Sequence, residues 1–586
     1  MEDAELVTLE PGERREEGSC FLAVLKGRVV ILDTTRADRA RVHTTLDAGD
    51  TFGETDLIRG EHPNHVIVAQ QRSLLVVFHE RGLTSLPPHL TLELKNAFED
   101  LEGAAPFTPT TQPPTLVLLS GGPGIDSAAV HGLSELLGRA IEADFEEPVA
   151  VVTRGPDGWR VRYATHGAAD GAAAPSWAEA VAALPQPDYV LVSLGRERAP
   201  HRGHSDADAV QPDLHVILGL PDQPGDLDAP PEESVLRTVL LDPHASRKTK
   251  AGTLDLRPYG DARKRSCRLM MSPASLRSVA HHTGPLPMQA LLREHRETVS
   301  RWARFVTRRT VAVALGGGGA WGYFHVALLK EMLGRGVPID LTSGTSFGAL
   351  VSVYFAAKGE EGLDLLVHRG RGLSFTQALS VVSTHPLERQ IGRDLDDADL
   401  TRLPIAANPF ATNLTRVQGE AAWAGPAALG ARASSSAPGL FGPTVLPDHG
   451  IFVDGVVAGN VPSAVLISQG ADLLVSSNVV PRPPAKAVPS SFFGRVVSTV
   501  SPLDRVYEAY LSALFFLYAQ GADHPGLGCI TVQGNDALES MQQRPLPSDF
   551  ERASAIVQHA LQHDSVRHAA DEIRSEWDRR RKRRVR

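Results

Sequence analysis

Short apolar runs with a period of two dominate the first hundred residues. Residues 21–32 form an apolar stretch interrupted at Lys26-Gly27, while 66–69 and 74–78 are two further β-branched runs set in polar, turn-rich sequence. The pattern predicts an all-β unit in which 21–32 folds as a hairpin with Lys-Gly at its turn. Beyond residue 115 the rhythm changes. Apolar runs at 116–119, 149–152, 189–192, 216–218 and 239–241 alternate with stretches of helical period, which predicts a parallel sheet covered by helices. The Pro/Thr segment 107–114 (FTPTTQPP) cannot join a sheet and reads as the linker between these two units. A third block opens at 311–315 (VAVAL), a strand that leads through glycines into a helical pattern carried by Phe324, Ala327, Leu328 and Met332. Further on, 506–518 is apolar nearly all round but too short to span a bilayer. Burial against the core is expected there, with contact between its aromatics and lipid as the alternative.

A chain of 586 residues has room for three or four domains, and 42% hydrophobic residues is ordinary for a soluble protein. Cys20, Cys267 and Cys529 lie too far apart for a metal motif, so no metal is expected, and either a reducing compartment or indifference to redox fits. No charged-then-apolar leader opens the sequence, and no apolar run reaches the ~18 residues of a membrane span, so a cytoplasmic protein is expected. Net charge is −10, yet seven of the last eight residues (579–586) are basic. Such a cluster is drawn to anionic lipid headgroups. Peripheral attachment through Arg579 to Arg586 is therefore expected, against a solvated tail, and no nucleic-acid partner.

Two motifs carry chemistry. In the first, Gly316, Gly317, Gly318 and Gly319 follow a strand and precede a helix, where backbone amides and a helix dipole favour an anion. The second is G-x-S-x-G at Gly344, Ser346 and Gly348, the pattern of a nucleophile elbow. A serine hydroxyl needs a base, and Asp454 stands at the end of the apolar run before Gly455; an Asx-turn is the structural alternative for it. Gly317, Gly319 and Gly322 also fit a dinucleotide fingerprint, with Asp340 at roughly the required spacing, but that Asp precedes the elbow instead of closing a second strand. A later His such as His524 would complete a Ser-Asp-His triad. His325, on the helix after the glycines, reads as a structural ring bonded to a carbonyl.

Together these segments resemble the patatin-like phospholipases. The glycine loop, a helical His, G-x-S-x-G, the segments 410–415 (FATNLT) and 433–441 (ASSSAPGLF), and Asp454-Gly455 occur here in the family's order. The resemblance implies a Ser-Asp dyad with Ser346 as nucleophile, Asp454 as base and the amides of Gly317, Gly318 and Gly319 as oxyanion hole. Two departures stand out: Trp321 where the family has Arg or Lys, and Val456 where it has a small residue. Residues 49–54 (GDTFGE) resemble the phosphate cassette of cyclic-nucleotide-binding domains, in which Glu54 would meet a ribose hydroxyl. Pro63 stands where the cassette's arginine belongs, which weighs against a bound cyclic nucleotide. This domain order is similar to that of bacterial proteins of the neuropathy-target-esterase branch.

The expectation is a multidomain chain: a cyclic-nucleotide-binding-like β-roll (1–103), linker (104–114), parallel α/β domain (115–260), helical connector (261–308), three-layer patatin-like α/β hydrolase domain (309–480), helical extension (481–570) and basic tail (571–586). Its expected activity is that of a serine lipid acyl hydrolase, needing no cofactor, on phospholipid or lysophospholipid. A catalytically decayed, nucleotide-responsive binding or scaffold protein is the alternative, suggested by Trp321, Val456 and the missing cassette arginine.

Overall fold

The computed structural model describes residues 4–9, 13–17, 20–26, 28–33, 41–47, 51–52, 65–69, 73–79, 115–155, 158–163, 187–195, 214–220, 235–243, 254–258, 266–281, 285–370, 385–438, 441–447, 449–480, 529–534 and 552–582. The chain divides into two compact units: Met1–Thr108 with His524–Ile530, and Pro109–Asp523 with Thr531–Arg586.

The first unit is all β. Its strands are β1 (Ala4–Leu9), β2 (Arg14–Glu17), β3 (Cys20–Lys26), β4 (Arg28–Asp33), β5 (Arg41–Asp47), β6 (Thr51–Phe52), β7 (His65–Ala69) and β8 (Ser73–His79). They form two four-stranded sheets, ordered β1-β8-β3-β6 and β2-β7-β4-β5. Alternate residues such as Leu22, Val24, Val29, Ile31, Ile67, Leu75 and Val77 are buried in one core. The hairpin expected at 21–32 does not form. β3 pairs with β8 and β6 while β4 pairs with β5 and β7, so the two strands belong to different sheets. Period-two patterning marks a strand and its buried face but not its partner. Glu54 and Pro63, like the linker, lie outside the described residues.

The second unit holds two sheets. The first comprises β9 (Thr115–Gly121), β10 (Val149–Gly155), β11 (Gly158–Tyr163), β12 (Tyr189–Gly195), β13 (Leu214–Gly219) and β14 (Val235–Leu241), together with a later strand, β16 (Ser266–Met270). Its order is β11-β10-β12-β9-β13-β14-β16, parallel except for the β10–β11 hairpin. Helix α1 (Ser127–Phe145), capped by Asp126 accepting from the Ala129 amide, covers one face. Two strands cross the boundary expected at 260: β15 (Asp255–Pro258) adds to the other sheet by pairing with a strand at 418–424, and β16 returns to this one. Helices α2 (Pro273–Ala280), α3 (Pro285–Glu294) and α4 (Arg296–Val306) then pack against α1.

The other sheet positions the site. It contains β17 (Val311–Leu315), β18 (Leu341–Thr345), β19 (Ala406–Asn413), β20 (Gln418–Ala424), β21 (Thr444–Leu446), β22 (Gly450–Asp454), β23 (Leu473–Asn478) and β24 (Cys529–Gln533). Its order is β15-β20-β19-β18-β17-β23-β24, with β22 pairing both β19 and β21. β17, β18, β19 and β23 run parallel, and β17 is buried on both faces, as its uninterrupted VAVAL requires. Helices α5 (Tyr323–Gly334) and α6 (Phe347–Lys358) follow β17 and β18, and α7 (Glu360–His368) packs on both; α8 (His385–Asp394), α9 (Ala427–Ser434) and α10 (Ser463–Ser468) complete the core. Two further helices, α11 (Ala553–Gln562) and α12 (Asp564–Lys582), cover α5 through Ile556, Val557, Val566, Ile573 and Trp577, among others. The stretch 506–518 and His524 lie outside the described residues.

Candidate active site

Strand register brings Ser346 and Asp454 together. Phe410 of β19 pairs with Thr345 of β18 and with Ala421 of β20; the next residue, Ala411, pairs with Asp454 of β22 and with Glu420 of β20. A strand has two sides, and β20 takes one, so β18 and β22 share the other, end to end. β18 runs parallel to β19 and β22 antiparallel, so their C-terminal ends meet at consecutive positions of β19. Ser346 follows the first end and Asp454 closes the second.

The serine is held in a strained turn. Ser346 has φ 54° and ψ −122°, a conformation that non-glycine residues rarely adopt. Gly344 and Gly348 make the turn sterically feasible. A Cβ on Gly344 would lie 2.2 Å from the Gly348 carbonyl oxygen, and one on Gly348 would lie 2.2 Å from the Leu315 oxygen. Three serines after α9's main body fix both halves of the pair. The Ser346 N–H donates to Ser434 Oγ (3.0 Å), which itself donates to the Phe410 carbonyl (2.6 Å). Ser435 Oγ donates to the Ser346 carbonyl (3.2 Å), and the Asp454 N–H donates to the Ser436 carbonyl (2.9 Å). Asp454 is fully buried, and its Oδ1 accepts from the Val456 N–H (3.1 Å), so the Asx-turn named as its structural alternative is present. Gly455 lets this turn lie against β19: a Cβ there would meet the Phe410 oxygen at 2.3 Å. Val456 packs in the core beside it.

The glycine loop lies between β17 and α5, next to β23. The Gly316 N–H donates to the Ser477 carbonyl (2.9 Å), and the Gly317 N–H to Asn460 Oδ1 (2.7 Å). Among the described residues, neither the Gly318 nor the Gly319 amide donates to a protein acceptor. Trp321 is buried in the one-turn helix Gly319–Gly322. His325 is completely buried on α5. Its Nε2 must donate to the Gly316 carbonyl (2.8 Å), which can only accept, and its Nδ1 accepts from Ser477 Oγ (2.9 Å). Burial pushes its pKa down to about 4, so the ring is neutral and braces the loop, as the sequence suggests. Asp340, which the dinucleotide reading would turn towards a ribose, is instead buried against Arg304 (2.7 Å) and accepts from the Val311 N–H. The N-termini of α6 and of α5, through its one-turn lead-in, lie in this region and bring positive dipole ends to it.

Residues 313–467, which include the glycine loop, Ser346 and Asp454, match the family described as patatin-like phospholipase. That stretch of the chain is similar to the patatin-like phospholipases. Lysophospholipase NTE1 of Yarrowia lipolytica is 28% identical over 201 residues, 32% of this chain and 14% of that protein. Neuropathy target esterase sws of Drosophila melanogaster is 27% identical over 295 residues (46% and 20%), and patatin-like phospholipase domain-containing protein 6 of Mus musculus is 30% identical over 192 residues (31% and 14%). The chain thus matches a fifth or less of the length of these relatives. Among solved structures, the regulatory domain of Toxoplasma gondii PKA with cAMP matches 17% of this chain and 40% of its own at 18% identity, with a TM-score of 0.15, too low to bear on function.

The resemblance to the patatin-like phospholipases was visible in the sequence. The serines at 434–436 and the amides of Asn460 and Asn478 were not assigned any role there. The only signal for them was position: 434–436 falls in one of the family-like segments, and Asn460 follows Asp454 by six residues.

Proposed function

We propose that the chain is a serine lipid acyl hydrolase acting on phospholipids or lysophospholipids through Ser346 and Asp454. One observation carries the proposal: a serine in a strained elbow and a buried carboxylate stand at the two strand ends that meet on Phe410 and Ala411. Asp454 takes the proton of Ser346 as its oxygen attacks the ester carbonyl. The oxyanion is met by the amides of Gly318 and Gly319, because the third expected donor, Gly317, is engaged by Asn460. Collapse expels the alcohol, which takes that proton from Asp454, and leaves an acyl-serine. The carboxylate so restored deprotonates a water that attacks the acyl carbonyl, and Asp454 returns the proton to Ser346 as the fatty acid leaves. The names of the matched relatives, a lysophospholipase and a target esterase, support the substrate class. Anionic membrane attachment through the basic residues from Arg579 onward belongs to the same proposal, which would make this a cytoplasmic, peripheral enzyme.

The test is hydrolysis of p-nitrophenyl butyrate and of lysophosphatidylcholine by the purified chain. Turnover of both, lost in Ser346→Ala, is expected; a wild type inert on both, with vesicles present, overturns the proposal.

A further inference from the structure

The glycine loop is gripped by a pair of buried asparagine side chains that the dyad chemistry does not use. Asn460 Oδ1 accepts from the Gly317 N–H (2.7 Å), and Asn460 Nδ2 donates to Asn478 Oδ1 (3.3 Å). Asn478 Oδ1 also accepts from the Val480 N–H (3.0 Å). Both amides are therefore oriented from their ends: a backbone N–H at Gly317 demands an oxygen from Asn460, and a backbone N–H at Val480 demands an oxygen from Asn478. With the oxygen of Asn460 turned to Gly317, its nitrogen is the atom left to reach Asn478. The two residues are 1% exposed, and Asn478 Nδ2 has no hydrogen-bond partner among the described residues. A buried amide with an unmet donor is costly to keep, so its retained bonds need a use.

That use lies in where the chain goes next. Gly317 is the residue before the two amides that remain open, Gly318 and Gly319, and Gly319 has φ 57°. Packing closes the loop from the side as well: a Cβ on Gly318 would sit 2.6 Å from Val479, the residue between Asn478 and Val480. Asn460 follows Asp454 by six residues, just past the one-turn helix Gly455–Val457, so one short segment supplies the carboxylate and the clamp. We infer that Asn460, oriented by Asn478, is a positioning residue that aims the Gly318 and Gly319 amides at the oxyanion. The inference rests on the serine hydrolase proposal. Asn460 acts through the backbone and touches no substrate; it couples the base-bearing turn to the oxyanion loop.

The test uses the full chain with Asn460→Ala and Asn478→Ala, measuring kcat and KM on p-nitrophenyl butyrate, thermal unfolding, and inhibition by an alkyl trifluoromethyl ketone, whose serine hemiketal places an oxyanion in the hole. Asn460→Ala should lower kcat by about tenfold to a hundredfold with KM within about twofold. Asn478→Ala should lower it less, since the Asn460 oxygen survives there. The ketone's Ki should rise in each variant by the factor by which kcat/KM falls, which a purely structural role would not produce. A folded Asn460→Ala with wild-type kcat, or a loss of kcat with an unchanged ketone Ki, overturns the inference and leaves the hydrolase proposal standing. If Asn460→Ala does not fold, the Asn478→Ala comparison of kcat/KM against Ki decides it on the same terms. A wild type inert on esters overturns both.

Discussion

Ser346 keeps a φ of 54° only because its neighbours hold it there. The Ser434 hydroxyl takes its N–H and anchors to Phe410, so Ser434→Ala leaves a buried amide unpaired and lets the elbow relax. We expect a stability loss of about 1–3 kcal/mol in urea unfolding and a lower kcat on p-nitrophenyl butyrate. Gly348→Ala should be more severe, since its Cβ would overlap the Leu315 carbonyl; little folded protein is expected by circular dichroism. His325 supplies a pH dependence. Its folded pKa, about 4, lies below the unfolded value near 6.5, so the unfolded chain binds the extra proton between those pH values and stability falls as pH drops through that window. The contribution lost by pH 4 is roughly 3 kcal/mol, and the wild-type advantage over His325→Gln in denaturant titrations should shrink by that order from pH 7 to pH 4. The turns that carry Ser346, Asp454 and the glycines were legible because each motif is local. Asn460 and Ser434 were not, because their partners lie 143 and 88 residues away and no short pattern encodes such a pairing.

At the scale of elements, the apolar runs predicted strands well wherever the strand was long and buried on both faces, as in β9, β12 and β17. They failed where partner choice mattered. Nothing in the run 21–32 says that β3 and β4 part into different sheets, and the four residues of β15 are too few and too polar to announce an edge strand. A buried ion pair ties the two sheets of the second unit together. Arg309, just before β17, pairs with Glu147, just after α1, at 2.7 and 3.0 Å, and its guanidinium lies 4.4 Å from the centre of the Phe145 ring. Glu147→Gln removes the carboxylate that bonds two nitrogens of that buried guanidinium. A loss of about 3–5 kcal/mol in urea unfolding is expected, and an Arg309→Met/Glu147→Leu double variant should recover most of it. A single variant within 1 kcal/mol of wild type would show that the pair carries no such weight.

For the molecule as a whole, the basic end is only partly available to a membrane. Arg580 bonds Glu576 (2.6 Å) and the Asp472 carbonyl, and its own carbonyl accepts from Arg309; Arg581 donates to the Asp144 carbonyl (2.7 Å). These two arginines pin α12 to the second unit, whereas Arg579 and Lys582 are exposed, and 583–586 lie outside the described residues. Charge count alone could not separate the two pairs. If the membrane proposal holds, sedimentation with phosphatidylserine vesicles should weaken on Arg579→Glu/Lys582→Glu, by about 1 kcal/mol per charge removed, and fade with added salt. The central claim concerns the dyad, and its most direct measurement is the site of covalent labelling. The chain would be treated with a fluorophosphonate, digested, and the adduct located by mass spectrometry. One adduct on Ser346 is predicted, absent from Ser346→Ala and slowed by about a hundredfold or more in folded Asp454→Asn. An adduct on another serine, or Asp454→Asn labelling at the wild-type rate, would contradict it.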